Sequence, residues 1–452
     1  MRHRPLTSFA AAFALAGSLL PARAFAVTDV RTLSLSEAVT LAKERAPIVH
    51  EAFARIASAE ASVDHASAFR LPAFWVQGMG AGFTSNGQVY NGGGLSSGAM
   101  TESYLMGQGS LNMQWALYDF GHTSSAIDSA RAGVRSANLT ARASEQAAMA
   151  EAAVAFFTLM ADDEFLRSTQ EVRADRERVL AMTHRLVEVG IRTPVDETRA
   201  EVGLDVAKLD VSTAEATRDN DAVNLASALL IDPTSTFRLV APGEVAVDEN
   251  VGANGSEALR ARYEVAAGAA RVEQTRHDLD SARHAYLPVL GAAASGTAQY
   301  TKDRSTVDQV TSVTGSPTEY AQGTLTLTVP VFDPLIRANV RVAEASVGEA
   351  TANLERLKQN AVTEATRAST QVRSARLVLA QAMHLTTGST ANLTAVEARY
   401  SSGMESPLAL ADAQREDAIA RVAVVRARLA LEVARVHLLA ALSRTGELAR
   451  AR

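Results

Sequence analysis

A literal match to the serine-hydrolase motif G-x-S-x-G occurs at Gly94, Ser96 and Gly98. In hydrolases this motif holds a nucleophilic serine on a sharp turn between a strand and a helix. Here it lies within the run NGGGLSSG, whose composition predicts a flexible loop with no helix after it. The sequence therefore does not support a hydrolase site at Ser96.

Other residue types that could perform chemistry also lack the necessary spacing. Gly78, Gly80 and Gly82 alternate along a predicted strand, without the following helix that a dinucleotide site needs. The nine histidines do not show the spacing of metal ligands, and the chain has no cysteine. No nucleotide-binding motif is present either. We therefore expect no enzymatic activity, no metal and no cofactor.

The first 26 residues predict a secretory signal peptide. Arg2 and Arg4 are basic, Phe9 begins an apolar run that ends at Leu20, and Ala24-Phe25-Ala26 fits a cleavage site. A membrane anchor is the alternative, but the apolar run is too short to span a bilayer. Without cysteine, an exported chain must be stabilised by packing and assembly rather than by disulfides. The net charge of −6 argues against a nucleic-acid partner.

The elements that position the remaining candidate residues occur twice along the chain. Leu71-Pro72 is repeated at Leu287-Pro288, Asp119 at Asp333, and Gly190 at Gly403, with offsets of 216, 214 and 213 residues. Such a constant offset predicts a duplicated unit of about 190 residues. We predict a first repeat at 27–230, a linker at 231–257, a second repeat at 258–442 and a C-terminal tail at 443–452.

Each repeat is predicted to contain two strands whose two faces differ in polarity. The strands are expected at about 73–82, 104–118, 288–300 and 320–331, with loops at 82–98 and 301–320. Leu325 and Leu327 alternate with Thr324 and Thr326. Because no further strands could cover the apolar face, we expect it to contact lipid. The alternative is a small soluble sheet with an aromatic core. The aromatic residues expected at the membrane interfaces are Trp75, Trp115, Tyr104, Tyr118, Tyr286 and Tyr300.

Long helices follow each strand pair. The stretches from 122 to 189 and from 335 to 402 contain no proline, and each would form a helix of about 100 Å. Gly190 and Gly403 end them, Pro194 and Pro407 follow, and helical patterns resume to 230 and 442. Helices of this length need lateral partners, as in coiled coils. Four strands cannot close a barrel, so two or more copies must share one.

Five motifs together resemble the TolC-type outer membrane efflux proteins, over essentially the whole mature chain. They are LSLSEAVTLAKERAP, LYDFG, VFDPL, VGIRTPVD and SGMESPLALADAQ. The resemblance implies a mostly α-helical fold with a small membrane β part. It also implies a homotrimer with a twelve-stranded β-barrel in outer-membrane lipid and a twelve-helix tunnel through the periplasm of a Gram-negative bacterium.

The same resemblance implies a function. The protein would be the exit duct of a tripartite efflux pump or a type I secretion system, conducting passively through a gate. Its partners would be a periplasmic adaptor and an inner-membrane pump, and its cargo cannot be identified from the residues. A periplasmic helical-hairpin adaptor or scaffold without a barrel is the alternative.

The resemblance also assigns residues at the turns of the two hairpins. The adaptor-binding tips would be Gly190, Ile191, Thr193, Gly403, Met404 and Ser406. Alternatively, these residues only build helix turns. Asp196 and Asp412 would form the periplasmic gate, although Asp412 could equally be a solvated helix charge. Ala409 stands where a second acidic ring would be, so we expect a single ring.

Overall fold

The computed structural model describes residues 30–89, 98–243, 251–307 and 310–450. The predicted signal peptide at 1–26 lies outside them, as do Gly94 and Ser96. The first repeat comprises β1 (Val30–Ser34), α1 (Leu35–Arg45), α2 (Pro47–Ala68), β2 (Ala73–Val89), β3 (Gly98–Tyr118), α3 (His122–Glu188) and α4 (Pro194–Ala228). The second comprises β4 (Thr236–Val240), α5 (Val251–Ala261), α6 (Tyr263–His284), β5 (Val289–Val307), β6 (Val310–Thr328), α7 (Pro334–Ser401), α8 (Pro407–Ala441) and a short 3-10 helix (Thr445–Arg450).

The two long helices form as predicted. Helix α3 has 67 residues and α7 has 68, so each is about 100 Å long. Helix α4 packs along α3 and α8 along α7, and each pair forms a hairpin. Alanines such as Ala361, Ala365 and Ala368 are buried, and their small side chains let helices approach closely. Among the described helices, none is both long and apolar enough to cross a membrane.

The helical segment that precedes the first long strand is divided into α1 and α2. Ser34 caps α1 through a capping box, in which its hydroxyl accepts from the Glu37 N–H at 3.3 Å and its own N–H donates to Glu37 Oε2 at 3.0 Å. The break lies at Ala46, because Pro47 has no N–H and disfavours helical dihedrals at the residue before it.

The four long strands form one antiparallel sheet in the order β2-β3-β5-β6. The prediction of a loop at 301–320 is wrong, since β5 runs to Val307 and β6 begins at Val310. The polar composition of this stretch suggested a loop, but its many Thr and Val residues favour strand. Likewise β2 continues to Val89 and β3 begins at Gly98, so most of the predicted loop at 82–98 is strand.

Strand β6 ends at Thr328, not at residue 331 as predicted. Pro330 follows and has no N–H to donate to a neighbouring strand. Asp333 then caps α7 by accepting from the Leu335 N–H at 2.8 Å. Residues 329–332 are therefore a short irregular connection between the sheet and the helix.

A compact core lies where the long hairpins meet the short elements. Strands β1 and β4 pair in parallel, so the predicted linker at 231–257 contains a strand and the start of α5. Periodicity could not reveal a strand of five residues whose partner lies 206 positions away. The described part of the predicted tail, 443–450, is also folded, because Leu448 is buried in the same cluster as Leu33 and Phe156. These contacts join the two repeats to each other in this core.

Candidate functional site at the hairpin tips and on the sheet

Both hairpin tips have the same backbone geometry. Gly190 and Gly403 adopt positive φ angles of 74° and 76°, which glycine tolerates best. The Ile191 N–H donates to the Leu186 carbonyl at 2.9 Å, and the Met404 N–H donates to the Arg399 carbonyl at the same distance. These are Schellman motifs with glycine immediately after the last helical turn. Each motif places the next apolar residue at the end of its hairpin.

The tips expose large apolar side chains. Ile191 is 59% exposed and Met404 is 71% exposed. They belong to a set that we call the tip patch: Val189, Ile191, Val195, Met404 and Leu408. The two tips also approach one another, since a Cβ built on Gly403 would lie 3.6 Å from Ile191 Cγ2. Apolar residues grouped at the end of a molecule are typical of a protein-binding surface.

The predicted tip hydroxyls serve as helix caps within the chain. Thr193 donates to Asp196 Oδ2 from its hydroxyl at 3.0 Å and from its N–H at 3.2 Å. Ser406 Oγ accepts from the Ala409 N–H at 3.1 Å. Asp196 thus anchors the first turn of α4, whereas Ala409 offers no equivalent carboxylate to α8. Asp412 forms an ion pair with Arg415 at 3.3 Å, and no described hydrogen bond or ion pair joins it to Asp196.

A contact that the sequence analysis missed joins the two hairpins. Tyr400 of α7 is only 2% exposed, and its hydroxyl lies 3.1 Å from Thr183 Oγ1 of α3. Arg192 stacks over the Tyr400 ring, with Cζ 4.6 Å from the ring centroid, and donates to the Glu405 carbonyl at 2.5 Å. We call Thr183, Arg192, Tyr400 and Glu405 the tip latch. Its one sequence signal was that Tyr400 is the only Phe, Tyr or Trp in α7.

A second polar link joins the hairpins farther from the tips. Asp417 of α8 is buried and accepts hydrogen bonds from Ser389 at 3.1 Å and Thr390 at 2.7 Å. Arg421 binds the same carboxylate at 2.6 Å and reaches Glu171 of α3 at 3.1 Å. Burial, with Asp175 nearby, raises the pKa of Glu397 beside this link. Charged groups therefore bridge α3 and α8.

An ion pair closes the first hairpin on itself. His184 Nδ1 of α3 lies 2.6 Å from Glu197 Oε1 of α4, and its Nε2 lies 3.5 Å from Glu188. The hydrogen bond with Glu197 raises the pKa of His184 above its ordinary value. The pair is exposed to water, so it orients the two helices more than it stabilises them.

The strand register divides the sheet into two chemically different faces. Directly paired residues point to the same side. Leu327 pairs with Leu290, and Leu290 with Tyr118. We call this side the apolar face; it includes Phe74, Val76, Leu111, Met113, Leu325 and Leu327. The opposite side is the polar face, with Gln108, Asn112, Gln114, Ser295, Gln299 and Gln322.

The same register separates the predicted interface aromatics. Trp115, Tyr118 and Tyr300 lie on the apolar face, as a lipid contact requires. Trp75 pairs with Asn112 and Tyr104 with Asp303, so both lie on the polar face. Tyr286 precedes β5 and is exposed. Only the aromatics on the apolar face therefore remain candidates for contact with the lipid interface, together with Tyr286.

The sheet has two unpaired edges, the outer sides of β2 and β6. Beyond the end of β6, Phe332 is 88% exposed in the single chain. Phe69 and Leu71, which precede β2, are also exposed. A long sheet edge flanked by exposed apolar residues is a pairing surface for another chain.

Comparison with known proteins places these features in context. The model of a family described as outer membrane efflux protein matches residues 38–229 and 254–444. Outer membrane protein OprJ of Pseudomonas aeruginosa is 26% identical over 377 residues, covering 81% of this chain and 76% of that protein. Protein CyaE of Bordetella pertussis is 24% identical over 349 residues, covering 76% and 70%. The structure of the outer-membrane channel OprN superposes with a TM-score of 0.71 at 21% identity, covering 90% of this chain and 89% of that one.

Proposed function

The chain belongs to the outer membrane efflux protein family, and from that premise we propose that three copies form a gated exit duct across the periplasm and the outer membrane. The duct serves a tripartite efflux pump or a type I secretion system. It performs no chemistry, and the energy for transport comes from the inner-membrane pump. Cargo passes through a water-filled lumen lined, in the membrane, by the polar face of the sheet. This proposal rests above all on a sheet that has one apolar face and two open edges.

The open edges support assembly into a closed barrel. Each chain supplies four strands, whereas membrane β-barrels need at least about eight. An unpaired edge in lipid leaves backbone groups without hydrogen-bond partners, at a cost of several kcal/mol each. Three copies joined edge to edge would give twelve strands and remove every edge. The apolar face then contacts lipid, and the polar face lines the lumen.

The duplication indicates how neighbouring copies meet. Within the chain, the end of β3 lies beside the start of β5, where Tyr118 pairs with Leu290. Between copies, the end of β6 would lie beside the start of β2, because alternating strands make this pairing antiparallel too. Phe332, the repeat equivalent of Tyr118, would then contact Phe74 of the neighbouring copy, because Phe74 is the repeat equivalent of Leu290. The new seam would repeat the seam that already exists inside the chain.

The tip patch supports a docking role for the hairpin ends. These ends lie about 100 Å from the sheet, where a periplasmic adaptor could reach them. Ile191 and Met404 are held outward by the two glycine turns and have no apolar cover in the single chain. An adaptor would bury them, and burial of an apolar side chain contributes roughly 1.5–3 kcal/mol.

The tip latch supports a gate at the same end. Thr183 and Arg192 belong to the first hairpin, whereas Tyr400 and Glu405 belong to the second. Breaking these contacts would let the hairpins separate and widen the periplasmic mouth. Asp412 would add carboxylates around the three-fold axis, and Asp196 would keep the first turn of α4 in place. Docking at the tips would therefore act directly on the latch.

The decisive experiment measures mass and conductance on the same purified material. Protein extracted from outer membranes should have the mass of three chains by light scattering and should form channels in planar bilayers. A monomer recovered from the periplasmic fraction would favour the alternative, a helical-hairpin adaptor without a barrel.

A further inference from the structure

Charged residues are rare in the sheet and are sorted between its faces. The described parts of the four long strands contain Glu102, Lys302, Asp303, Arg304 and Glu319. Lys302 pairs with Leu105 and Arg304 with Ser103, which puts both basic residues on the apolar face. Asp303 pairs with Tyr104 on the polar face, and Glu102 pairs with Ser305 there. Both basic side chains thus lie on the face proposed to contact lipid, and two of the three acidic side chains lie on the face proposed to line the lumen.

The two basic residues lie at neighbouring levels of the sheet. Tyr300, Lys302 and Arg304 follow one another on the apolar face toward the end of β5 that is remote from the helices. Successive residues on one face are about 6.6 Å apart along a strand. Tyrosine at a membrane surface lies at the level of the lipid headgroups. Lys302 and Arg304 are therefore placed at the headgroup level and just beyond it.

Among the described residues, neither Lys302 nor Arg304 has a carboxylate partner. No described ion pair involves Lys302 or Arg304, and both side chains are exposed. Long basic side chains can lay their methylene stems on apolar surface while the charge reaches the headgroups. Glu319, on the same face, pairs with Ala298, four residues nearer the helices than Lys302. Its carboxylate would repel an anion from that deeper level and favour binding at Lys302 and Arg304.

We propose that Lys302 and Arg304 bind the phosphate groups of the lipopolysaccharide in the outer leaflet. This inference rests on the proposed function, because it requires the β5–β6 hairpin to face the cell exterior. The duct would then be anchored by hydrogen-bonded ion pairs as well as by its apolar face. A trimer would present three such sites, one per chain, around its outer rim.

The test uses the trimer, freed of bound lipid and titrated with purified lipopolysaccharide. The variant carries Lys302→Ala and Arg304→Ala. The matched control is Asp303→Ala, which alters a charge between them on the opposite face. Binding to the double variant should weaken on the order of tenfold or more, whereas the control should bind like the parent protein. Lipopolysaccharide stripped of its phosphates should bind the parent as weakly as the double variant binds the intact lipid.

Equal affinity of the parent and the double variant for intact lipopolysaccharide would overturn the proposal. So would equal affinity of the parent for the dephosphorylated lipid, or full displacement by inorganic phosphate at a matched concentration. Trimer mass and channel conductance are measured on the same samples. A parent protein that forms no trimeric channel refutes the proposed function, whereas a double variant that conducts normally and binds the lipid normally refutes only this site.

Discussion

The hydroxyl of Tyr400 lies 3.1 Å from the hydroxyl of Thr183, and this contact joins two hairpins that are 217 residues apart in sequence. Both groups are buried, so each depends on the other for a hydrogen-bond partner. Leaving a buried hydroxyl without a partner costs about 1–3 kcal/mol. The contact between the two hairpins of one chain therefore depends on a single hydroxyl group on each side.

Tyr400→Phe should favour the open mouth. The substitution keeps the ring that stacks under Arg192 but removes the hydroxyl, leaving Thr183 unpaired. Conductance in planar bilayers should rise, or open events should become several-fold more frequent, since about 1 kcal/mol corresponds to about a fivefold change. Tyr263→Phe, in α6, is the control and should conduct like the parent protein. Unchanged conductance in Tyr400→Phe would show that the latch does not limit opening.

Leu327→Arg should impair assembly, whereas Thr326→Arg should be tolerated. The register puts Leu327 on the apolar face and Thr326 on the polar face. An arginine facing lipid near the middle of the bilayer costs about 2–4 kcal/mol, and one facing a water-filled lumen costs little. The amount of trimer in outer-membrane fractions measures the difference. Equal yields would mean that the face assignment is wrong.

Acidic substitutions in the tip patch should stop efflux without affecting insertion. In the double variant Ile191→Asp and Met404→Asp, the exposed apolar surface becomes charged, so an adaptor could no longer bury it without a desolvation cost. Drug susceptibility should increase to that of a strain lacking the protein, while trimer levels stay normal. Ser401→Asp, an exposed change near the same turn, is the control. Normal resistance in the double variant would refute docking at the patch.

Cysteines at Phe332 and Phe74 should crosslink neighbouring copies. The natural chain has no cysteine, so any disulfide must come from the introduced pair. Oxidation of the Phe332→Cys, Phe74→Cys variant should give covalent dimers and trimers on a non-reducing gel. The control pair, Phe332→Cys with Leu105→Cys, places the second cysteine farther along the sheet and should remain monomeric. A trimer by light scattering that never crosslinks would place the seam elsewhere.

His184 should titrate above its ordinary pKa of 6.5. Its pKa is raised by Glu197, so the pair stabilises the first hairpin fully below the unfolded-state pKa. That contribution is lost as the pH rises through the raised pKa of the folded state. NMR of histidine-labelled trimer can follow the imidazole directly. Glu197→Gln should lower the His184 pKa toward the ordinary value, and an unchanged titration would show that the pair does not form.

The sequence predicted the elements that show a helical pattern over a long stretch or that end at a helix-breaking glycine or proline. The proline-free runs predicted α3 and α7, and Gly190 and Gly403 predicted their ends. The ends of β5 and β6 that are remote from the helices were missed. Their residues are mostly polar, because this part of a strand does not need an apolar face, and so they lack the alternation by which the other strand segments were predicted. Strand β4 was missed because five residues carry too little periodicity. The tip latch could not be predicted, since only folding brings Tyr400 to Thr183.

The unequal capping of α4 and α8 makes the two hairpins mechanically different. Asp196 in the first turn of α4 accepts from both the N–H and the hydroxyl of Thr193, whereas the Ser406 N–H donates at 3.3 Å to the preceding residue, Glu405, which lies outside α8. The first turn of α8 should therefore exchange its amide hydrogens faster. We therefore expect the first hairpin to be the stiff arm and the second to be the compliant arm, at nearly equal length. A force applied at the tips, for example by a docking partner, would then deform the compliant arm first.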